Sequence, residues 1–317
     1  MMLTRQQTFA ALAATVTVTF LPRRAPAANV VLHVGSSLED DVSPLLLAAA
    51  NGTFARLGLE VQPQAIASGA AGAAAVAGGS LEFCKSSLLA LVSAHARNVP
   101  FVIVAPGSYT SDADPIAQLV VARSSPIRTA KDFNGKTLGT SSLRDVKMIS
   151  AMEWIDQHGG DSRTLKFVEV PNSTIVAALE DGRIAGATVL NPVLADGLET
   201  GRIRAIGPAF DAIAPRWLVT AWFTTRDYAA RNPEIVKKFV QALREASAAV
   251  NAHPAQAASV LAPFLHDDAA RIAKMKRSPL GVDLDVKEIQ PVIDVAARYR
   301  VIDKAFPASE LIAALPR

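Results

Sequence analysis

The chain has 317 residues, half of them hydrophobic, and its 32 basic residues nearly balance 29 acidic ones. This balance gives no reason to expect a nucleic acid or a membrane surface as a partner. The only cysteine, Cys84, excludes an internal disulfide and a thiolate metal site, so stability must come from a buried apolar core.

The first 27 residues have the pattern of a secretory signal peptide. Met1–Gln7 carry one arginine and no acid, Thr8–Leu21 are nearly all Ala, Val, Thr, Phe and Leu, and Ala25–Ala27 supply small residues, which predicts cleavage after Ala27. The apolar run is too short for a membrane-spanning helix, which needs about 20 residues. Cleavage would remove three arginines and no acid, leaving 29 basic and 29 acidic residues in a neutral mature chain. The mature length predicts two domains.

Strands and helices alternate along the first part of the mature chain. The predicted strands are Val30–Val34, Leu59–Val61, Leu81–Cys84 and Phe101–Ala105, and the predicted helices are Ser43–Arg56, a small-residue helix ending at Gly78, and Leu88–Ala96. This order predicts a parallel sheet covered on both faces, with ligands binding at the carboxyl ends of its strands. The polar residues predicted at those ends are Ser36, Ser37, Ser68, Lys85 and Ser86.

A second run with the same alternation begins near Gln118. Its predicted strands are Leu119–Ala122, Lys136–Gly139, Phe167–Val170, Ala185–Leu190 and Ile203–Ile206. The segment Ala74–Glu82 parallels Ala177–Ala185, since both end a small-residue helix at glycine and then enter a short strand. This parallel supports two related halves.

Within the second run, Asn134–Val146 has the features of an anion receptor. A short strand leads to Thr140, Ser141 and Ser142 where a helix is predicted to begin, so hydroxyls, free amides and the helix dipole would face a ligand. Arg144 could add a charge-assisted bond to a carboxylate, sulfonate or phosphate. The alternative is an ordinary serine cap, worth about 1 kcal/mol and binding nothing, and this segment alone favours that alternative.

The last hundred residues are predicted to be mainly helical. Trp217–Thr224 has the pattern of a returning strand, and further helices are predicted over 232–246, 254–265, 268–276, 286–299 and 308–314. No low-complexity linker separates the two runs, so the halves are expected to be joined by crossing strands.

The usual catalytic and metal-binding motifs are missing from the sequence. None of the five histidines is spaced from another ligand as a metal site requires, and the chain contains no G-x-S-x-G, Walker A or G-x-G-x-x-G motif. We therefore predict neither metal, cofactor nor catalysis. The acidic residues 39–41 could bind a cation, but charges on a solvated loop are the favoured interpretation. Lys85 could be a ligand's counter-charge or an exposed lysine, and Trp217 and Trp222 fit a core better than a stacking site.

Four segments resemble, in order and spacing, the NMT1/THI5-like family of nitrate-, sulfonate-, taurine- and thiamine-precursor-binding proteins. Pro44–Val61 follows P-L-x-x-A-x-x-x-G-x-F-x-x-x-G-L-x-V, and Asp132–Thr140 follows D-L-K-G-K-x-x-G-x with phenylalanine and asparagine at its second and third positions. Ala178–Pro192 follows A-L-x-x-G-x-x-D-A-x-x-x-x-x-P, and Asn232–Leu243 follows N-P-E-x-V-x-x-F-x-x-A-L. The family's acidic residue is replaced by Ala185 in the third segment, and its frequent aromatic or glutamate before Pro192 is Asn191, so the ligand does not follow from the resemblance.

The resemblance implies an α/β chain with the type II periplasmic-binding-protein fold. Two α/β lobes, joined by two crossover strands, would close on a ligand in the cleft between them. The expected boundaries are residues 1–27 for the signal peptide, 28–116 plus 220–317 for lobe 1, and 117–219 for lobe 2.

The same resemblance implies a periplasmic solute-binding component of an ABC importer, acting as a monomer with membrane permease and ATPase subunits. The expected ligand is a small sulfonate or carboxylate. The residues expected to bind it are Ser36, Ser37, Ser68, Lys85, Ser86, Thr140, Ser141, Ser142, Arg144 and Asn191. Two alternatives stay open: a neutral pyrimidine or flavin precursor, held by Trp217, Trp222 or Tyr109, and a THI5-like enzyme, whose cysteine-rich motif and histidine chemistry this chain lacks. A sensing role in place of transport also stays open.

Overall fold

The computed structural model describes residues 29–37, 39–66, 69–111, 116–191, 193–266, 268–274 and 277–313. The predicted signal peptide and Ser68 lie outside these residues. No helix in the described ranges combines the length and apolar character needed to cross a bilayer.

The strands form two five-stranded sheets and one short ribbon. They are β1 Val30–Ser36, β2 Leu59–Ala65, β3 Phe83–Ser87, β4 Phe101–Pro106, β5 Tyr109–Ser111, β6 Ala117–Ala122, β7 Thr137–Thr140, β8 Lys166–Glu169, β9 Gly186–Leu190, β10 Ile203–Gly207, β11 Arg216–Leu218 and β12 Thr220–Thr225. The first sheet has the order β2-β1-β3-β12-β4, and the second has the order β8-β7-β9-β6-β10. We call the first sheet with the helices packed on it lobe 1, and the second sheet with its helices lobe 2.

The helices cover both sheets. They are α1 Ser43–Ala50, α2 Thr53–Arg56, α3 Gly69–Ala77, α4 Leu88–Ala96, α5 Val146–Gln157, α6 Ile175–Glu180, α7 Val193–Glu199, α8 Arg226–Arg231, α9 Pro233–Ala252, α10 Ala258–Leu265, α11 Ala269–Lys274 and α12 Gln290–Arg298. The predicted helix over 43–56 is divided because Gly52 has a left-handed backbone, with φ of 76°. The prediction over 308–314 was wrong, since only a 3₁₀ turn forms there, at Ala308–Leu311.

The two sheets share one plan, in which four strands run one way and one runs against them. In lobe 1 the opposed strand is β12, which is antiparallel to β3 and β4. In lobe 2 it is β6, which is antiparallel to β9 and β10. Each opposed strand is the first sheet strand that the chain forms after crossing from the other lobe, so the all-parallel sheets expected from the alternation are mixed instead. The two segments of similar sequence lead from α3 into β3 and from α6 into β9. β3 and β9 each occupy the central position of their sheet.

The lobes are connected by the two crossing strands that the resemblance implied. These are β5 and β11, which pair antiparallel, with Tyr109 opposite Leu218 and Ser111 opposite Arg216. The predicted strand Trp217–Thr224 is therefore two strands, divided at Val219, and the first of them belongs to the crossing.

Helix α9 illustrates how the apolar pattern builds the core. Val236, Phe239, Leu243 and Val250 recur on one face and are buried against the first sheet and α1. The Phe239 ring stacks on Phe83 of β3 with centroids 4.0 Å apart. Burial of each such side chain contributes about 1.5–3 kcal/mol, so a strong helical period predicts both the helix and its packing.

Candidate functional site

Three of the predicted ligand residues of lobe 1 follow from the register of two strands. Because β1 and β3 are parallel, with Gly35 opposite Cys84, Ser36, Ser37 and Ser86 lie toward the same edge of the sheet. Ser36 is fully buried and donates to the carbonyl oxygen of Ser37 at 3.0 Å. Ser37 is half-buried, and its hydroxyl donates to a carboxylate oxygen of Glu39 at 2.9 Å.

Lys85 lies inside β3, and its side chain is fully buried. Its ammonium forms an ion pair with the buried Asp41 carboxylate and lies 3.4 Å from Oε2 of Glu39. Burial lowers the pKa of Lys85, and the neighbouring carboxylates, Glu39 first, oppose that shift. The interpretation of Lys85 as an exposed lysine was therefore wrong, and a large part of its charge is already matched within lobe 1.

Asp41 is the residue that sequence reasoning placed least well. A solvated loop was favoured for the acidic residues 39–41, but Asp41 is only 3% exposed. Besides Lys85, its carboxylate accepts hydrogen bonds from the hydroxyls of Ser108, at 2.8 Å, and Thr220. The Thr220 hydroxyl in turn accepts the backbone N–H of Ser108 at 2.9 Å. Asp41 thus ties the loop after β1 to both chain segments at the crossing, through two hydroxyl residues that the sequence did not identify.

Asp40 lines a cavity of about 320 Å³ beside the end of α9. Its Oδ2 accepts the backbone N–H of Ser278 at 3.1 Å and lies 3.4 Å from Nε of Arg277. Burial raises the pKa of Asp40 although Arg277 opposes the shift. Among the described residues, no group of three or more His, Cys, Asp or Glu side chains is placed to hold a metal ion.

The predicted helix start in lobe 2 lies several residues later than expected. α5 begins at Val146, and its cap is Asp145, whose side chain accepts the backbone N–H of Met148 at 2.9 Å. The hydroxyls of Thr140 and Ser141 donate to the same carboxylate, at 2.9 and 3.1 Å. An aspartate at the cap therefore occupies the helix terminus that was expected to receive a ligand anion, because a carboxylate competes well for those amides.

Arg144 is directed away from this loop. It has a left-handed backbone, with φ of 65°, and its guanidinium donates to the carbonyl oxygen of Val301. Val301 packs in the same core as α4 and α12, so this bond crosses from lobe 2 to lobe 1. The structure gives Arg144 an interlobe contact and shows no carboxylate partner for it among the described residues.

Two further predicted residues sit at the margin of the site. Ser142 is exposed, its hydroxyl donates to the carbonyl oxygen of Leu143 at 3.4 Å, and its own carbonyl oxygen accepts the Thr140 hydroxyl at 3.1 Å. Asn191, at the end of β9, accepts the backbone N–H of Ala195 at 3.2 Å and thereby helps to begin α7.

Lys147 is the lobe 2 residue that the sequence analysis missed. Its ammonium donates to the Ser141 hydroxyl at 2.9 Å, and it is close enough to Glu39 of lobe 1 to act on that carboxylate. Burial raises the pKa of Glu39, but the Lys85 charge, the hydrogen bond from Ser37 and the Lys147 charge together hold that pKa below its usual range. Lys147 therefore links the Ser141 hydroxyl of lobe 2 electrostatically to the Glu39 carboxylate that Ser37 of lobe 1 binds. The sequence contained one signal for this role, since Lys147 is the second residue of α5.

The aromatic residues considered for stacking lie in the core. Trp217, Trp222 and Tyr109 are each no more than 1% exposed. The Trp217 indole donates to the carbonyl of Phe210 at 2.9 Å. The core interpretation is confirmed for both tryptophans, and none of the three rings offers a face to a solute.

Comparison with known proteins identifies one family. The sequence model described as NMT1/THI5 like matches residues 39–257. A Brucella abortus relative named as a "putative binding protein" is 24% identical over 274 residues, covering 84% of this chain and 81% of its own.

Solved structures of similar fold include three solute-binding proteins. The Escherichia coli periplasmic aliphatic sulphonate binding protein SsuA has a TM-score of 0.75 at 17% identity, covering 90% of this chain and 93% of its own. The Xanthomonas axonopodis alkanesulfonate-binding protein SsuA, bound to MOPS, has a TM-score of 0.72 at 17% identity, with 90% and 99% covered. The Synechocystis periplasmic nitrate-binding protein NrtA has a TM-score of 0.70 at 12% identity, with 92% and 87% covered. These likenesses confirm the predicted periplasmic-binding-protein fold.

Proposed function

Because the chain belongs to the NMT1/THI5-like family, we propose that it is the periplasmic solute-binding component of an ABC importer and that it binds a small organic anion between its lobes. Proteins of the same fold are named as binding sulphonates, alkanesulfonates and nitrate, all of them anions. The proposed partners are a membrane permease and its ATPase. The proposed activity is binding without catalysis, as the names of those neighbours describe.

One observation carries the proposal, namely that the Lys147 charge of lobe 2 acts on the Glu39 carboxylate of lobe 1. Lys147 donates to the Ser141 hydroxyl, and Glu39 accepts the Ser37 hydroxyl, so each of the two charges is accompanied by a hydroxyl donor of its own lobe. A lysine and hydroxyl donors on opposed lobes suit the oxygens of a sulfonate or carboxylate, which accept several charge-assisted bonds.

Closure of the lobes would complete this site. We propose the boundaries 28–116 plus 220–317 for lobe 1 and 117–219 for lobe 2, which the membership of the strands in the two sheets supports. The short ribbon of β5 and β11 is the natural hinge, since few residues there need to change conformation when two rigid lobes rotate.

We propose an anion and not a neutral heterocycle because of where the aromatic residues lie. A flat heterocycle is usually held by stacking on aromatic rings, and Trp217, Trp222 and Tyr109 are committed to the core. The groups that we propose to meet the ligand are hydroxyls and charges instead.

The test is binding of ethanesulfonate, taurine, acetate and nitrate, with thymine and riboflavin as neutral comparisons, by calorimetry and thermal shift. An anion present at 100 times its Kd should stabilise the fold by about 2.7 kcal/mol.

Lys147→Met should weaken binding about tenfold, because a charge-assisted bond is lost. Lys166→Met, which removes an exposed lysine from β8 of the same lobe, is the matched control. Stabilisation by thymine or riboflavin with no response to any anion would contradict the proposed ligand class.

A further inference from the structure

We infer that Glu39 is a displaceable internal carboxylate that holds the anion-binding donors of lobe 1, and that a bound anion takes its place. This inference rests on the proposed function and assigns Glu39 the role of setting affinity. Ligand and side chain would compete for the same hydrogen-bond donors.

The contacts of Glu39 are those expected of the ligand. Its Oε2 accepts the Ser37 hydroxyl at 2.9 Å and lies 3.4 Å from the Lys85 ammonium. Ser37 and Lys85 are two of the five lobe 1 residues that the sequence predicted to hold an anion. A carboxylate oxygen and a sulfonate oxygen make the same kind of charge-assisted bond, so one can replace the other.

Glu39 and Asp41 share Lys85 but differ in how firmly they are held. The Asp41 side chain is 4% exposed and is bonded to Lys85, Ser108 and Thr220. The Glu39 side chain is 57% exposed, and its separation from the ammonium exceeds the usual 2.7–2.9 Å of a charge-assisted bond. Asp41 is therefore a fixed part of the fold, whereas Glu39 can rotate into solvent without leaving a buried group unpaired.

The charges around Lys85 explain why Glu39, while it remains in place, would oppose the binding of an anion. Lys85 carries one positive charge against the two negative charges of Asp41 and Glu39, and the adjoining Asp40 and Arg277 offset each other. The donors of lobe 1 thus present a net negative charge to an incoming anion while Glu39 remains in place. Lys147 of lobe 2 acts on Glu39 and could hold either the ligand or the displaced side chain, so removal of Glu39 should favour an anion.

The test measures ethanesulfonate binding to Glu39→Gln and Glu39→Ala by calorimetry. Both should bind about tenfold more tightly than the wild type, because a like charge beside the anion is removed. The alanine variant excludes a new bond from the glutamine amide as the cause. Glu60→Gln removes an exposed carboxylate from β2 of the same lobe and should leave the affinity unchanged, which separates the local effect from total charge.

Three outcomes would overturn the inference. Equal or weaker ethanesulfonate binding by both Glu39 variants, with normal binding by the wild type, contradicts it and leaves the proposed function intact. Weaker taurine binding with unchanged ethanesulfonate binding would show that Glu39 contacts the amine of a ligand instead. Failure of the wild type and all variants to bind any anion would contradict the proposed function as well.

Discussion

Lys85 and Asp41 form an ion pair inside lobe 1 although 44 residues separate them in the sequence. Asp41 is also bonded to Ser108 and Thr220, which stand where the chain leaves lobe 1 and where it returns. One carboxylate therefore joins the loop beside the proposed site, the strand that carries Lys85 and the base of the hinge. This arrangement predicts that a change at Asp41 affects stability before it affects recognition.

Asp41→Asn should be strongly destabilising. The variant keeps the size of the side chain but leaves the buried Lys85 ammonium with only the exposed Glu39 carboxylate, 3.4 Å away, as a counter-charge. Breaking a buried ion pair in this way costs about 3–5 kcal/mol. Urea unfolding followed by circular dichroism measures the loss. Asp161→Asn is the control, because Asp161 pairs with the exposed Arg163 and a surface ion pair contributes little to stability. An Asp41 variant within about 1 kcal/mol of wild type would show that Lys85 is not charged in the folded protein.

The order of strands and helices could be predicted because it depends on local apolar periods. Leu88–Ala96 was placed at its observed bounds, and the buried face of α9 follows from Val236, Phe239 and Leu243. The direction of β6 and β12 could not be predicted in the same way, since strand pairing is decided by contacts distant in sequence.

The candidate site, like the fold, could be predicted from the sequence only in part. The hydroxyl loops could be placed at strand ends, but the partner of each side chain could not. Three serine and threonine residues obscured the stronger cap at Asp145, whose carboxylate outcompetes them for the first amides of α5. The bonds of Asp41 to Ser108 and Thr220 span 67 and 179 residues, and no local pattern reports such contacts.

Gly107→Ala should disturb the hinge. A Cβ at Gly107 would lie 2.3 Å from the Thr220 hydroxyl oxygen and 2.9 Å from its carbonyl oxygen, so the returning strand would have to move. Overpacking of this kind costs about 1–3 kcal/mol, and the displaced Thr220 would also lose its bond to Asp41.

Gly52→Ala provides a comparison for that variant. Gly52 has a φ of 76°, but a Cβ added there would meet no described atom within 4 Å, so only backbone strain of about 1–2 kcal/mol is expected. Thermal unfolding of both variants separates the two causes. A Gly107→Ala protein as stable as the wild type would contradict the close contact at the crossing.

Arg298→Met should destabilise the protein, because Glu153 has a hydrogen-bond partner in the other lobe that this change removes. Glu153 of α5 is 3% exposed, and its Oε1 accepts bonds from Arg298 of α12 and, at 3.0 Å, from Gln157. Loss of the guanidinium leaves a buried carboxylate under-satisfied and should cost about 1–3 kcal/mol.

A double-mutant cycle isolates this interaction. In the Glu153→Gln background the side chain is neutral, so Arg298→Met should cost at least about 1 kcal/mol less than in the wild type. Urea unfolding of the four proteins gives the coupling. Additive losses would mean that the Arg298 side chain, more than half exposed, is held too loosely to matter.

Cys84 should be unreactive in the folded protein. Its side chain is fully buried in β3, and burial raises the pKa of the thiol to about 12. At pH 8 the thiolate fraction is then about 10⁻⁴, and a reagent such as DTNB must wait for the chain to open.

We expect no labelling of the native protein over hours and one equivalent in guanidinium chloride, since the chain has one cysteine. Ala96→Cys in a Cys84→Ala background places a thiol at the exposed end of α4 and should react at once, which verifies the reagent. Rapid labelling of native Cys84 would show that β3 and the Lys85 site beside it open readily, contrary to the packing described.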